Sequence, residues 1–234
     1  MTNEEMLQKE AVIKEIIDGL SDKPNDIEKV KHIFNWFVEN VKYDHFKLEV
    51  AKNTSKMIQI HTENNYYMYR TIIDYFANKL DIETLPEDKK NLLYEYIKLN
   101  NKKEELANIS NSRPNNPHVL ISKLGVCEDF SNSLKEICDL INVKCETIQG
   151  YIFSGGIKVG HQWNMVVVGD RAMHIDISSA IHNKEENKNP NEYFGLTTQQ
   201  LIEKDKDKNR GILKDSMDKV MAMENIASDT RSPR

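Results

Sequence analysis

Apolar residues recur at three- and four-residue steps through Ile13, Ile16, Ile17 and Leu20. They predict an amphipathic helix over 3–18, with Asn3 as its cap, Glu4 and Glu5 in the first turn and Gly19 at its end. After a Ser21-Asp22-Lys23-Pro24 turn, Asp26 is placed to cap a second helix whose buried stripe is Ile27, Val30, Phe34, Phe37 and Val41. From about 48 to 117 the pattern is polar and mostly helical. It closes in a breaker cluster, Asn111-Ser112-Arg113-Pro114-Asn115-Asn116-Pro117. The character then changes. Val126, Phe130, Leu134, Ile137 and Ile141 mark a helix over 126–141, whereas 145–153, 162–168 and 172–178 read as strands joined at Ser154-Gly155-Gly156 and Gly169-Asp170. Helices first and antiparallel strands after them imply an α+β fold. Beyond Leu201 the chain is charged and helical in part, and Ala227 to Arg234 is expected to be a disordered tail.

Composition narrows the partners. With 39% hydrophobic and 29% charged residues the chain is of ordinary globular type. A net charge of -5, with lysine far outnumbering arginine, offers no basic field for phosphates, so nucleic acid is not expected as a partner. The N-terminus lacks a basic patch followed by an apolar run, and no apolar stretch reaches membrane-spanning length. A cytoplasmic protein without a membrane partner is expected. Three cysteines do not build a disulfide framework and fit a reducing compartment. Within the helical segment at 48–117, His61, Tyr66, Tyr67 and Tyr69 are expected to pack rather than form an exposed aromatic patch.

Cys127 changes the picture, because the apolar stripe puts it in the first turn of the 126–141 helix. Unpaired N–H groups and the dipole there favour a thiolate. Cys138 and Cys145 fall inside apolar patterns and read as buried hydrophobes. If the Gly169-Asp170 turn sets Val168 opposite Arg171, then Met165 opposes His174, Trp163 opposes Asp176 and His161 opposes Ser178. Alternation then puts His161, Trp163, His174 and Asp176 on one face, with Asp176 diagonal to His161 and within reach of a hydrogen bond. A carboxylate that holds one imidazole nitrogen leaves the other to face a thiol. The same side chains lack the spacing of a zinc site, and no calcium loop occurs, so no metal or other cofactor is expected.

The chain carries Gly125-Val126-Cys127, Phe130-Ser131, Gly150-Tyr151, His161-Gln162-Trp163-Asn164 and His174-Ile175-Asp176 in that order. In these segments it resembles the transglutaminase-like superfamily of bacterial type. Weaker matches lie at Trp36 with Val41-Lys42-Tyr43-Asp44, and at Tyr193-Phe194-Gly195-Leu196-Thr197. The resemblance implies a papain-like α+β core, a cysteine helix packed on an antiparallel sheet, with Cys127 as nucleophile, His161 as base and then acid, and Asp176 as the orienting carboxylate. From the same motifs Trp163, Gln162, His174 and Tyr151 are expected to contact substrate. The implied organisation is an N-terminal helix at 1–25, a catalytic domain at 26–202 with a helical insertion at about 48–117, and a C-terminal helix and tail at 203–234. The implied activity is acyl transfer from a peptide or side-chain amide of a protein or peptide substrate. A cysteine protease ranks first, with a glutamine deamidase or transglutaminase as alternatives. A binding module that keeps the fold without activity is the reading from another class.

Overall fold

In a computed structural model, which describes residues 1–63, 65–112 and 118–230 apart from the side chains of 61, 63, 65–67, 111 and 112, helix α1 spans Asn3–Asp18. Its cap is Thr2 and not Asn3. Thr2 Oγ1 accepts from Glu5 N at 3.2 Å, and the Glu5 carboxylate accepts from Thr2 N at 2.7 Å, so two orphan donors are satisfied reciprocally. Helix α2, Asp26–Asn40, is likewise capped one residue earlier than expected, by Asn25, whose Oδ1 accepts from Glu28 N at 2.9 Å.

The remaining elements follow in chain order: β1 Lys42–Tyr43, α3 His45–Glu63, α4 Asn65–Phe76, α5 Glu87–Ser112, α6 Val119–Ser122, β2 Leu124–Gly125, α7 Cys127–Leu140, β3 Lys144–Ser154, β4 Ile157–Val168, β5 Arg171–Ile175, α8 Ile177–Glu185, β6 Phe194–Leu196, α9 Thr198–Lys204, β7 Gly211–Ile212 and α10 Lys214–Asp229. Together they make a mixed helix and antiparallel-sheet protein of α+β class. Among the described residues no helix is long and apolar enough to cross a membrane.

The chain divides into two compact units. One comprises His45–Asn115 with Gly155–Val159. It has its own apolar core of Met57, Ile60, Met68, Ile72, Leu85, Leu93 and Tyr96, and buried Asn53 ties α3 to α5 by donating to Leu99 O at 3.0 Å. Tyr69, expected to pack, is 49% exposed. The side chains of His61, Tyr66 and Tyr67, and the breaker residues 113–117, lie outside the described residues.

The other unit comprises Met1–Asp44, Asn116–Ser154 and Gly160–Arg234. It holds a five-stranded sheet in the order β6-β5-β4-β3-β7 and a two-stranded parallel pair, β1-β2. Helix α7 packs on β3 and buries Phe130, Leu134 and Ile137, each contributing about 2 kcal/mol by leaving water. Helix α10 packs on β3 and β5 and buries Val220, Met223 and Ala227. It runs through Asp229, so residues 227–229 are helical where a disordered tail was expected, and residues 231–234 lie outside the described residues.

The β4–β5 ladder has the anticipated register, Val168 opposite Arg171 and Met165 opposite His174. Gly169, at φ 60°, adopts the left-handed backbone that the tight turn demands. The ladder nevertheless ends at the Asn164–Ile175 pair. The strand predicted over 172–178 stops at Ile175, and Asp176 to Ser178 turn into α8. His161 is therefore not paired with Ser178, and Asp176 is a helix cap.

Candidate active site

Cys127 opens α7 where the chain leaves β2. Parallel pairing of β1 with β2 places Tyr43 opposite Gly125, and Asp44 N donates to Gly125 O at 2.7 Å, so the strand end is anchored two residues before the thiol. A side chain at Gly125 would bring its β-carbon to 2.8 Å from Val119 Cγ2 and 3.0 Å from Asp129 Cβ, which is why this position is glycine. Val126 N donates to Asp129 Oδ2 at 2.9 Å; Asp129 thus serves as a helix-start acceptor. Ser131 Oγ donates to Cys127 O at 2.8 Å. Cys127 is half-buried, whereas Cys138 and Cys145 are fully buried.

His161 lies buried on β4. Its Nε2 is 2.8 Å from Asp176 Oδ2, and the Cys127 side chain is a further hydrogen-bond partner of the same ring. Burial pulls the imidazole pKa down, but the Asp176 charge and hydrogen bond, with Cys127 adding to them, outweigh it and raise the value to about 9. Asp176 caps α8: Oδ1 accepts from Ser179 N at 2.9 Å, and Oδ2 from Ser179 Oγ at 2.8 Å. Burial opposes its ionisation. The adjacent His161 and Arg210 charges prevail and hold the carboxyl well below the usual carboxylate range. Tyr43 stands at the same place; burial first, and then the nearness of Cys127, push its phenol above the ordinary range against a hydrogen bond with Ser178.

Two residues that sequence reasoning missed complete the ionic cluster. Arg210 Nη2 donates to Asp176 Oδ2 at 2.6 Å and its Nε donates to Asp205 Oδ2 at 2.7 Å. Tyr193 Oη donates to Asp205 Oδ1 at 2.7 Å. The guanidinium lies over the Trp163 indole, 4.8 Å from the ring centroid. Both Asp205 and Arg210 fall beyond the 26–202 span assigned to the catalytic domain, in a charged run that reads as solvent-facing. No periodicity in that run marks them as buried.

The four residues expected at substrate are placed as follows. Trp163 and His174 are interior: Trp163 Nε1 donates to His174 Nδ1 at 3.0 Å, and His174 Nε2 meets Thr198 Oγ1 at 3.0 Å. Trp163 also stacks on His161, with centroids 5.8 Å apart and planes 25° apart. Gln162 is buried too, its amide donating to Ser131 Oγ at 2.8 Å and Asn132 Oδ1 at 3.0 Å. These three side chains spend their polar atoms inside the protein. They lie beside the histidine and the cysteine helix, bonded to Ser131, Asn132 and Thr198. Tyr151 is half-buried, opposite Gly211 of β7, with its ring lying where a side chain at Gly211 would be. Among the described residues no group of three or more His, Cys, Asp or Glu is disposed to hold a metal ion.

No protein-family model matches the chain, and no curated protein matches it. A solved structure described as the crystal structure of a TGase is similar to it with a TM-score of 0.39 and 13% sequence identity, over 76% of this chain and 33% of the other, so this chain spans about a third of that protein's length.

Proposed function

We propose that this protein is a thiol enzyme of transglutaminase-like type that acts on an amide of a peptide or protein through a thioester. The observation that carries the reading is one imidazole with two partners: His161 meets the Asp176 carboxylate at 2.8 Å, and the Cys127 side chain is a hydrogen-bond partner of the same ring. His161, steadied by Asp176, takes the thiol proton. Cys127 Sγ attacks the carbonyl carbon, and the oxyanion develops beside the backbone N–H of Cys127 at the helix start. As the C–N bond breaks, His161 donates its proton to the leaving amine or ammonia. Neutral His161 then takes a proton from water, or from a second amine, which attacks the thioester and frees Sγ.

Peptide-bond hydrolysis is the first reading, since water as acceptor needs no second binding site. Deamidation of glutamine and amine crosslinking share every step but the last. The test is mass spectrometry of a peptide library incubated with the protein and with Cys127→Ala. New termini mark cleavage, a one-dalton gain marks deamidation and amine adducts mark crosslinking, each absent with the variant. A library left unchanged by the wild-type protein, together with a Cys127 that iodoacetamide labels no faster than an ordinary exposed thiol, would overturn the reading.

A further inference from the structure

Arg210 is a deeply engaged cation. Its side chain is 0% exposed, bridges Asp176 and Asp205, touches Ser179 Oγ at 3.2 Å and rests on Trp163. Its Nη1 is buried without a hydrogen-bond partner. An orphan donor of this kind is a cost that a placement serving stability alone avoids. On its own, a guanidinium bonded to Asp176 would compete with an imidazolium for the same carboxylate. Here it does not stand alone. Asp205 accepts from Arg210 Nε, lies 2.6 Å from Nη2 and is held in turn by Tyr193. Counting Asp176, Asp205, Arg210 and a protonated His161, two negative and two positive charges cancel; with His161 neutral the cluster carries one net negative charge, which attracts the proton back.

We propose that Arg210 and Asp205 are positioning residues of the active site: the guanidinium fixes the Asp176 carboxylate toward His161, and Asp205 offsets the guanidinium charge so that Asp176 stays available to an imidazolium. This rests on the reading of Cys127, His161 and Asp176 as a catalytic triad. The charged and titratable groups facing His161 are Cys127 from α7, Asp176 from the start of α8 and Arg210 from the segment before β7. Asp205 lies behind Arg210, and Tyr43 of β1 stands near Cys127 and Asp176. His174 of β5 sits behind Trp163, and Asp129 lies on the Tyr43 side. The placement also accounts for Gly211 and Tyr151: β7 begins directly after Arg210, and the Tyr151 ring lies across Gly211, pinning the strand that carries the guanidinium.

The test is the pH titration of His161 itself, followed by its Cε1–H proton NMR signal; it needs no substrate. The wild-type signal should show a transition with its midpoint at about 9. Asp205→Asn leaves the guanidinium unbalanced and should move that transition down by about one pH unit. The double variant Asp205→Asn, Arg210→Met removes both charges and should return it close to the wild-type position, while amide turnover stays reduced because Asp176 is no longer held. A merely structural role would slow all variants without moving the transition, and that result would overturn the inference with the triad intact. A wild-type His161 whose midpoint lies at or below the ordinary 6.5 would instead sink the triad reading itself. Should the variants not fold, nitrogen-15 NMR of wild-type protein decides: the Arg210 Nε–H signal should titrate with the His161 midpoint, and a signal that stays fixed across that range refutes the coupling.

Discussion

Trp163 donates its indole N–H to His174 Nδ1 at 3.0 Å, and this single bond sets the tautomer of a buried histidine. Indole nitrogen can only donate, so His174 Nδ1 carries no proton and Nε2 does. Nε2–H therefore donates to Thr198 Oγ1 at 3.0 Å, which donates to Glu224 Oε1 at 2.8 Å, a one-way chain from the ring behind His161 to α10. Trp163→Phe removes the donor, leaves a buried acceptor unpaired and takes away the platform under Arg210. We expect a loss of about 2–4 kcal/mol in stability, measured by urea unfolding. A loss below about 0.5 kcal/mol would show that the chain is not a structural device.

The two buried histidines titrate in opposite directions and should bracket a stability maximum. Burial, reinforced by the Arg210 charge, lowers His174 to about 4, while an unfolded imidazole sits near 6.5. Between those values the unfolded chain binds a proton that the folded one refuses, so stability falls as pH drops from about 6.5 towards 4. His161, raised to about 9 because Asp176 outweighs its burial, holds a proton that the unfolded chain has released. That contribution is complete below about pH 6.5 and disappears as pH rises through about 9, each arm being on the order of 3 kcal/mol. Melting temperature should peak near pH 6.5. His174→Gln, whose amide can accept from Trp163 and donate to Thr198, should flatten the acid arm alone. A wild-type melting temperature still climbing at about pH 9 would refute the assignment of His161.

What the sequence disclosed was local and periodic. The stripe from Val126 to Ile141 located α7 and hence Cys127 at its start; the Gly169 turn set the β4–β5 register. Asp176 shows where that method stops. Ile175-Asp176-Ile177-Ser178 alternates like a strand, yet Asp176 is an N-cap, because its carboxylate and Ser179 N three residues on satisfy each other and start a helix. The pairing with His161 survives this misreading because it needs only that Asp176 follow the end of β5. Arg210 and Asp205 were illegible for another reason. Their burial comes from pairing with each other and, through Arg210, with the distant Asp176, which has no period, and in a run such as Glu203-Lys204-Asp205-Lys206 nothing separates the buried carboxylate from its exposed neighbours. Gln162, Trp163 and His174 were legible as neighbours of His161, but their burial depends on packing that the motif does not carry.

Because Asp176 has three duties, the choice of variant decides what is measured. Asp176→Ala removes the α8 cap, worth about 1 kcal/mol, and breaks a buried ion pair with Arg210, worth about 3–5 kcal/mol, so its inactivity would report unfolding. Asp176→Asn gives up the same ion pair, leaving Arg210 to Asp205, but keeps the volume and an acceptor for Ser179 N. We expect it to fold and to lose activity by about 10³–10⁴-fold, as loss of the orienting charge does in triads. With only Cys127 left to oppose burial, the His161 midpoint, followed by its Cε1–H proton signal, should drop below the ordinary 6.5. An Asp176→Asn protein whose His161 still titrates near 9 would mean that another group sets that proton affinity.

Gly150 supplies the most localised test of how β7 is seated. A β-carbon there would lie 2.1 Å from Gly211 O and 2.6 Å from Trp163 Cη2, a backbone atom on one side and a fully buried ring on the other, so neither can yield without moving β7 or the indole. Overpacking of a core usually costs about 1–3 kcal/mol, and the backbone contact puts Gly150→Ala at or above the top of that range. Since β7 follows Arg210 directly and Trp163 lies beneath the guanidinium, the variant should also displace Arg210 and slow alkylation of Cys127. Gly160→Ala is the matched control on β4. Nothing lies within 4 Å of its β-carbon, and its stability should stay within about 0.5 kcal/mol of wild type. Equal melting temperatures for the two variants would show that β7 is free to shift, and would remove the packing reason for a Gly-Tyr pair at this point of the sheet.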